Sequence, residues 1–187
     1  EVTVNGRKLD PAKWKSTQGN FQMREGNYVQ SDATAAPAIS FGDEVFSGDT
    51  VTYTVRARKT GGAEGFLVRF GAKDGKDGYW WNVGGWGNSR HAIEEFFGEA
   101  KTAVTEVPGS IKDGQWYDLK VVLTPGRIQC FLDGQPIHDY KIRPAAISVA
   151  SALDRGTGEV IIKLVNPSPE PVAARIRSEE HTSELQS

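Results

Sequence analysis

Cysteine and methionine each occur once in these 187 residues, and histidine three times. A lone cysteine, Cys130, excludes an internal disulfide and leaves the redox compartment open. With so few thiols and imidazoles, no Cys/His set stands at zinc-ligand spacing. No stretch approaches the roughly 18 apolar residues of a membrane-crossing helix. The start, EVTVNGRKLD, lacks the basic-then-apolar order of a secretion leader. Neither sign of charge is in excess: the net charge is -2 and the pI about 6.0. That balance argues against a nucleic-acid or anionic-membrane surface. Heptads and internal repeats are missing, and helical periodicity is scarce.

What is present is the composition of a β protein with many turns: 21 glycines, 38% hydrophobic and 10% aromatic residues. Val51, Tyr53, Val55 and Ala57 alternate with Thr52, Thr54, Arg56 and Arg58, which predicts a half-buried strand. Tyr117, Leu119, Val121 and Leu123 repeat that pattern. Turns at Thr124-Pro125-Gly126-Arg127 and Asp133-Gly134-Gln135-Pro136 make residues 115–142 a three-stranded meander. Strands so spaced, without intervening helices, predict an all-β fold, a sandwich of two antiparallel sheets. In the run Ile128, Cys130, Leu132 the thiol falls on the apolar side and is expected to be buried and inert.

The composition shifts after Tyr140. Residues 143–146 read as a linker, followed by a hairpin at 147–152 and 159–165 around a turn at 154–158. A proline-rich turn over 166–171 precedes a short strand at 172–176. Domain boundaries are therefore set at 1–143 for the sandwich and 144–176 for closing strands of a different, truncated β-domain. The remainder, RSEEHTSELQS at 177–187, resembles a translated sequencing adapter and is set aside as an artefact. Resequencing is expected to replace it with the rest of a strand.

Catalytic motifs are sparse. Glycoside hydrolysis needs two facing carboxylates, yet Glu94 and Glu95 are neighbours and a strand points them to opposite faces. Glu64, Asp74, Asp77, Asp133 and Asp139 are scattered, and no nucleophile elbow occurs. His91 reads equally as a hydrogen-bonding residue or an ordinary strand position, and His138 as structural. Asp74 and Asp77, in the loop DGKDG, are weak calcium candidates without the bidentate glutamate of an EF-hand. A hairpin turn accounts for that loop fully, since Asp and Gly are the residues such turns prefer. No cofactor is expected otherwise.

The densest concentration of chemistry is GYWWNVGGWGNSRHAIEEFF, residues 78–97, which holds three of the five tryptophans. On a strand Trp80 and Trp81 face opposite ways, so one at most enters a core. Tyr79, Trp81 and Val83 are assigned to the core. Trp80, Asn82, Trp86, Asn88, Arg90 and His91 are assigned to carbohydrate binding, since indole faces suit the C–H surface of a sugar and amide, guanidinium and imidazole groups its hydroxyls.

The stretches GGAEGFLVRFGAKDGKDGYWWNVGGWGNSRHAIE, GSIKDGQWYDLKVVL, RIQCFLDGQPIHD and ASALDRGTGEVIIKLVNPS closely resemble the C-terminal part of bacterial α-L-arabinofuranosidases of glycoside hydrolase family 51. The resemblance covers about residues 2–176. It implies a concanavalin- or laminin-G-like sandwich, then the closing hairpin of the family's β-domain, both ancillary to a catalytic (β/α)8 barrel. No position matches the family's two catalytic glutamates, and a barrel of about 250 residues cannot fit in this chain. The implied function is that of a non-catalytic module of an enzyme releasing terminal arabinofuranose. Its implied partners are an arabinose-containing polysaccharide or oligosaccharide and the parent's own barrel, in an extracellular or periplasmic setting. Two alternatives stand beside it. The aromatic face could serve purely as packing against the barrel, or the sandwich could be an enzyme similar to 3-keto-disaccharide hydrolases.

Overall fold

The computed structural model describes residues 1–167 apart from 33, 36, 73–76, 98–99 and 143–146. Asp74, the linker, the strand expected at 172–176 and the segment 177–187 lie outside the described residues. Contacts divide the chain into Glu1–Ile142 and Arg143–Ser187.

In the first unit the strands are β1 (Val2–Val4), β2 (Arg7–Lys8), β3 (Lys15–Gln18), β4 (Phe21–Arg24), β5 (Asn27–Gln30), β6 (Ile39–Phe41), β7 (Val51–Arg58) and β8 (Phe66–Phe70). They continue as β9 (Asp77–Gly84), β10 (Arg90–Phe97), β11 (Ala100–Pro108), β12 (Trp116–Thr124), β13 (Arg127–Leu132) and β14 (Gln135–Lys141). Six of them form an antiparallel sheet in the order β14-β13-β12-β7-β1-β2, and four another in the order β11-β10-β9-β8. Two small ladders, β3-β6 and β4-β5, complete the described sheets of this unit. Tyr28 ties these ladders together: its ring stacks on Phe21 at 5.3 Å, and its hydroxyl lies 2.6 Å from Ser40 Oγ.

Alternation decides which side of each sheet is buried. On β12, Tyr117, Leu119 and Val121 are buried while Trp116, Asp118 and Lys120 are exposed. Facing them across the interior are Val68, Trp81, Val83 and Ile93 from the four-stranded sheet, with Ile128 and Cys130 beside them. Fully burying side chains such as Trp81, Ile93 and Leu119 contributes roughly 2–3 kcal/mol each. Burial raises the Cys130 thiol pKa well above its ordinary value, in keeping with the inert thiol expected.

The meander of β12, β13 and β14 is built as the sequence suggests, with tighter turns. Leu132 pairs with Gln135, leaving only Asp133 and Gly134 between them, both at positive φ (49° and 78°). This is the two-residue geometry that matches the twist of the flanking strands. Pro136 sits inside β14, where it is tolerated because β14 is an edge strand and the ladder shifts register there.

The second unit is described as one hairpin, β15 (Ser148–Leu153) and β16 (Val160–Val165). Its turn is pinned by Asp154, whose carboxylate accepts from the Gly156 N–H at 2.8 Å. Adjacent Ile161 and Ile162 face opposite sides of the hairpin and are 56% and 41% exposed. A lone two-stranded hairpin is marginal in water.

Candidate functional site

Residues 78–97 fold into β9, a tight turn and β10. As expected, Trp81 and Val83 lie in the core, with Tyr79 half-buried against it. The Tyr79 hydroxyl donates to Glu95 at 3.1 Å. Burial first, then the Glu95 carboxylate, raises the phenol's pKa well above its usual value.

The opposite face of the same sheet carries Trp80 and Asn82 from β9, and Arg90, Ala92, Glu94 and Phe96 from β10. Register places Trp80 against Glu94 and Asn82 against Ala92 on one side, and against Arg69 and Leu67 of β8 on the other. Beyond β10, Phe96, Glu94 and Ala92 oppose Lys101, Ala103 and Glu106 of β11. Asn82, Ala92, Glu94 and Phe96 are buried, whereas Leu67, Arg69, Lys101, Ala103 and Glu106 are exposed. The two central strands form a floor and the two edge strands a rim.

That floor is polar as well as aromatic. Glu94 is only 3% exposed. Its Oε2 accepts from Asn82 Nδ2 at 3.3 Å, and its Oε1 lies 3.3 Å from the Lys101 ammonium. The same ammonium stands 4.7 Å from the Trp80 ring centroid, while the Arg69 guanidinium caps Phe96 at 4.2 Å. Trp80 and Phe96 meet at 5.9 Å. Trp80 Nε1 is buried and has no acceptor among the described residues, an unfilled donor in an otherwise bonded cluster. Asn82 fits because of Gly85, where a Cβ would come within 2.5 Å of the Asn82 amide.

At one end of this face the chain turns over Gly85–Asn88 with Trp86 (φ 48°, ψ 57°), Gly87 and Asn88 all in the left-handed region. A tryptophan held there is strained, a state that persists only where surrounding contacts impose it. Those contacts are visible: the Arg90 guanidinium lies 5.2 Å from the Trp86 ring and is anchored by Glu106 at 2.8 Å, and Glu64 accepts from the Gly87 N–H at 3.0 Å. Trp86 remains 40% exposed.

Four of the six residues expected at a sugar site, Trp80, Asn82, Trp86 and Arg90, are therefore brought to one face. The other two are placed elsewhere. Asn88 is engaged with backbone, donating to the Ile111 carbonyl at 2.8 Å and accepting from its N–H at 2.7 Å. His91 alternates with Arg90 and Ala92 and so turns to the core side. Its Nδ1 accepts from the Gly84 N–H at 2.9 Å, its ring packs on Gly109, and burial lowers its pKa. Glu94, Phe96, Arg69 and Lys101 were not anticipated. The alternation Arg90, Ala92, Glu94, Phe96 carried a signal for the first two, but only the register with β8 and β11 identifies the cations. Among the described residues no three His, Cys, Asp or Glu side chains converge as a metal site. Asp77 is half-buried at the start of β9.

No family model matches the chain. Among solved structures it is similar to the carbohydrate binding module CBM66 from Bacillus subtilis, at 17% identity and a TM-score of 0.48, over 69% of this chain and 79% of that one. Over 166 residues, 86% of its length, the chain is 37% identical to an extracellular exo-α-L-arabinofuranosidase of Streptomyces chartreusis. It spans 20% of that curated relative, and is thus related to one segment of an exo-α-L-arabinofuranosidase.

Proposed function

We propose that the chain is a non-catalytic, carbohydrate-binding part of an α-L-arabinofuranosidase whose bond-cleaving residues lie outside it. The observation that carries this reading is the outward cluster of Trp80, Asn82, Glu94 and Lys101, an aromatic face beside a buried, hydrogen-bonded carboxylate. A sugar presents C–H surface to the indole, while its hydroxyls donate to Glu94 and accept from Asn82 and Lys101. Trp86 and Arg90 extend the same face. The relation to the Streptomyces enzyme supplies the class of sugar, arabinofuranosyl groups on a polysaccharide or oligosaccharide. The parent enzyme would remove such groups from chain ends on a separate catalytic barrel. Residues 144–176 are read as closing strands of the parent's β-domain, a role supported by the exposed apolar side chains of β15 and β16, Val149, Leu153, Val160 and Ile161 among them.

A second reading makes the same face a contact with the catalytic domain. The exposed Trp86 favours it equally, because aromatic and arginine anchors are typical of interfaces. Titration of the chain with arabinose-bearing oligosaccharides separates the two. Binding that is lost in Trp80→Ala supports the sugar site, whereas no binding to any such glycan leaves the interface.

A further inference from the structure

The outer face of the six-stranded sheet, on the far side of the sandwich from Trp80, carries a recess of about 510 Å³. That volume is in the range of small-ligand sites. A row of side chains crosses it from strand to strand: Thr3 of β1 beside Thr54 of β7, then Lys120 of β12 and Phe131 of β13. The Thr3 and Thr54 hydroxyls lie 2.6 Å apart, and the Lys120 ammonium stands 5.4 Å from the Phe131 ring. In the next row Arg56 pairs with Asp118 at 3.6 Å. In the row beyond, Arg58 lies 4.8 Å from the ring of Trp116, which Arg56 approaches from its own side at 5.9 Å. Trp116 is 37% exposed. Arg58 and Lys120 have no carboxylate partner within 4.0 Å among the described residues.

We propose that this recess is a second saccharide site, selective for sugars that carry a carboxylate, the uronic acids. The cations set the charge of the ligand. Two acids line the recess, Asp118 and Glu1, and they are paired with Arg56 and Lys8 respectively, which leaves Lys120 in the recess and Arg58 in the row beyond it as the cations available to an anion. A guanidinium fork matches a carboxylate in two parallel hydrogen bonds. Asp118 and the threonine pair set the rest of the ligand. A carboxylate in the middle of the recess repels a polyphosphate but accepts hydrogen bonds from hydroxyls, so sparse charge on a hydroxyl-rich frame is preferred to nucleic acid. Phe131 and Trp116 offer apolar faces to the C–H side of the ring. The site shares no residue with the Trp80 face and does not depend on that face binding sugar.

The test uses the whole 187-residue chain and one probe in two forms: a glucuronate-bearing oligosaccharide, and the same oligosaccharide with its carboxyl group reduced to the alcohol. Calorimetric titration is expected to show the acid form binding about tenfold more tightly, a preference that fades at high salt. Lys120→Gln and Arg58→Gln should each abolish the preference, and Trp116→Ala should weaken both forms. Amide shifts in NMR spectra should centre on Thr54 and Lys120. Equal affinity for the two forms, an unaltered preference in the Lys120 and Arg58 variants, shifts centred on Asn82 and Ala92, or displacement by single-stranded RNA at comparable concentration would each overturn the proposal.

Discussion

Lys101 on β11 places its ammonium 3.3 Å from the Glu94 carboxylate and 4.7 Å from the Trp80 ring, closing a buried acid beneath an exposed cation. Removing one partner of such a pair leaves the other uncompensated. Because Lys101 is itself partly exposed, its share is discounted for solvent screening. Lys101→Ala is expected to cost about 1–2 kcal/mol in a urea titration. Glu94→Gln should preserve the fold, since an amide still accepts from Asn82, yet weaken arabinoside binding by about tenfold, or about 1.4 kcal/mol.

Trp86 makes the opposite trade. Its left-handed backbone (φ 48°) is strained for any residue with a Cβ, and glycine is relieved of that strain. Trp86→Gly should therefore leave thermal stability unchanged or raise it by about 1 kcal/mol, while saccharide affinity falls. A large loss of stability would show that the indole serves mainly as packing.

Asn88 is expected to behave as a structural residue. Its amide satisfies both backbone groups of Ile111. Asn88→Ala should cost about 2 kcal/mol, with sugar affinity of the folded fraction unaltered when measured by titration below the melting transition.

The interior holds a pH-sensitive element. His138 is 4% exposed, and neither ring nitrogen has a partner among the described residues. Burial first, then the neighbouring His91, lowers its pKa from 6.5 to about 4. The unfolded chain thus binds more protons than the folded one between these values. Stability is fully present above about pH 6.5 and falls as the pH is lowered toward 4, by about 2–3 kcal/mol in all. Denaturant midpoints measured across this window should show the decline, and His138→Leu should flatten it. An identical slope in the variant would remove His138 as the cause.

Much of this arrangement is legible in the sequence because strand alternation is a local rule. Once Trp81 is placed in the core, Trp80 and Asn82 must face away, and the meander follows from its turn residues. His91 keeps the odd parity of Trp81 and Val83 through the Gly85–Asn88 turn and pairs with Val83, so it faces the core, but the local sequence does not show that the turn preserves this parity. The engagement of Asn88 with backbone is not legible locally, because its partner, Ile111, lies 23 residues away. Glu94 drew attention only as half of an adjacent acidic pair. Its burial depends on cross-strand neighbours, Lys101 and Asn82, that only the register brings together.

Binding of arabinose-bearing glycans at the Trp80 face remains the property on which the proposed function turns. Its most direct test is calorimetric titration of the chain and of Trp80→Ala with arabino-oligosaccharides, with circular dichroism confirming that both are folded. The parent chain should bind saturably and the variant at least tenfold more weakly, as expected when an aromatic platform is removed. Equal affinity in two folded proteins, or no binding by the parent chain, would contradict it.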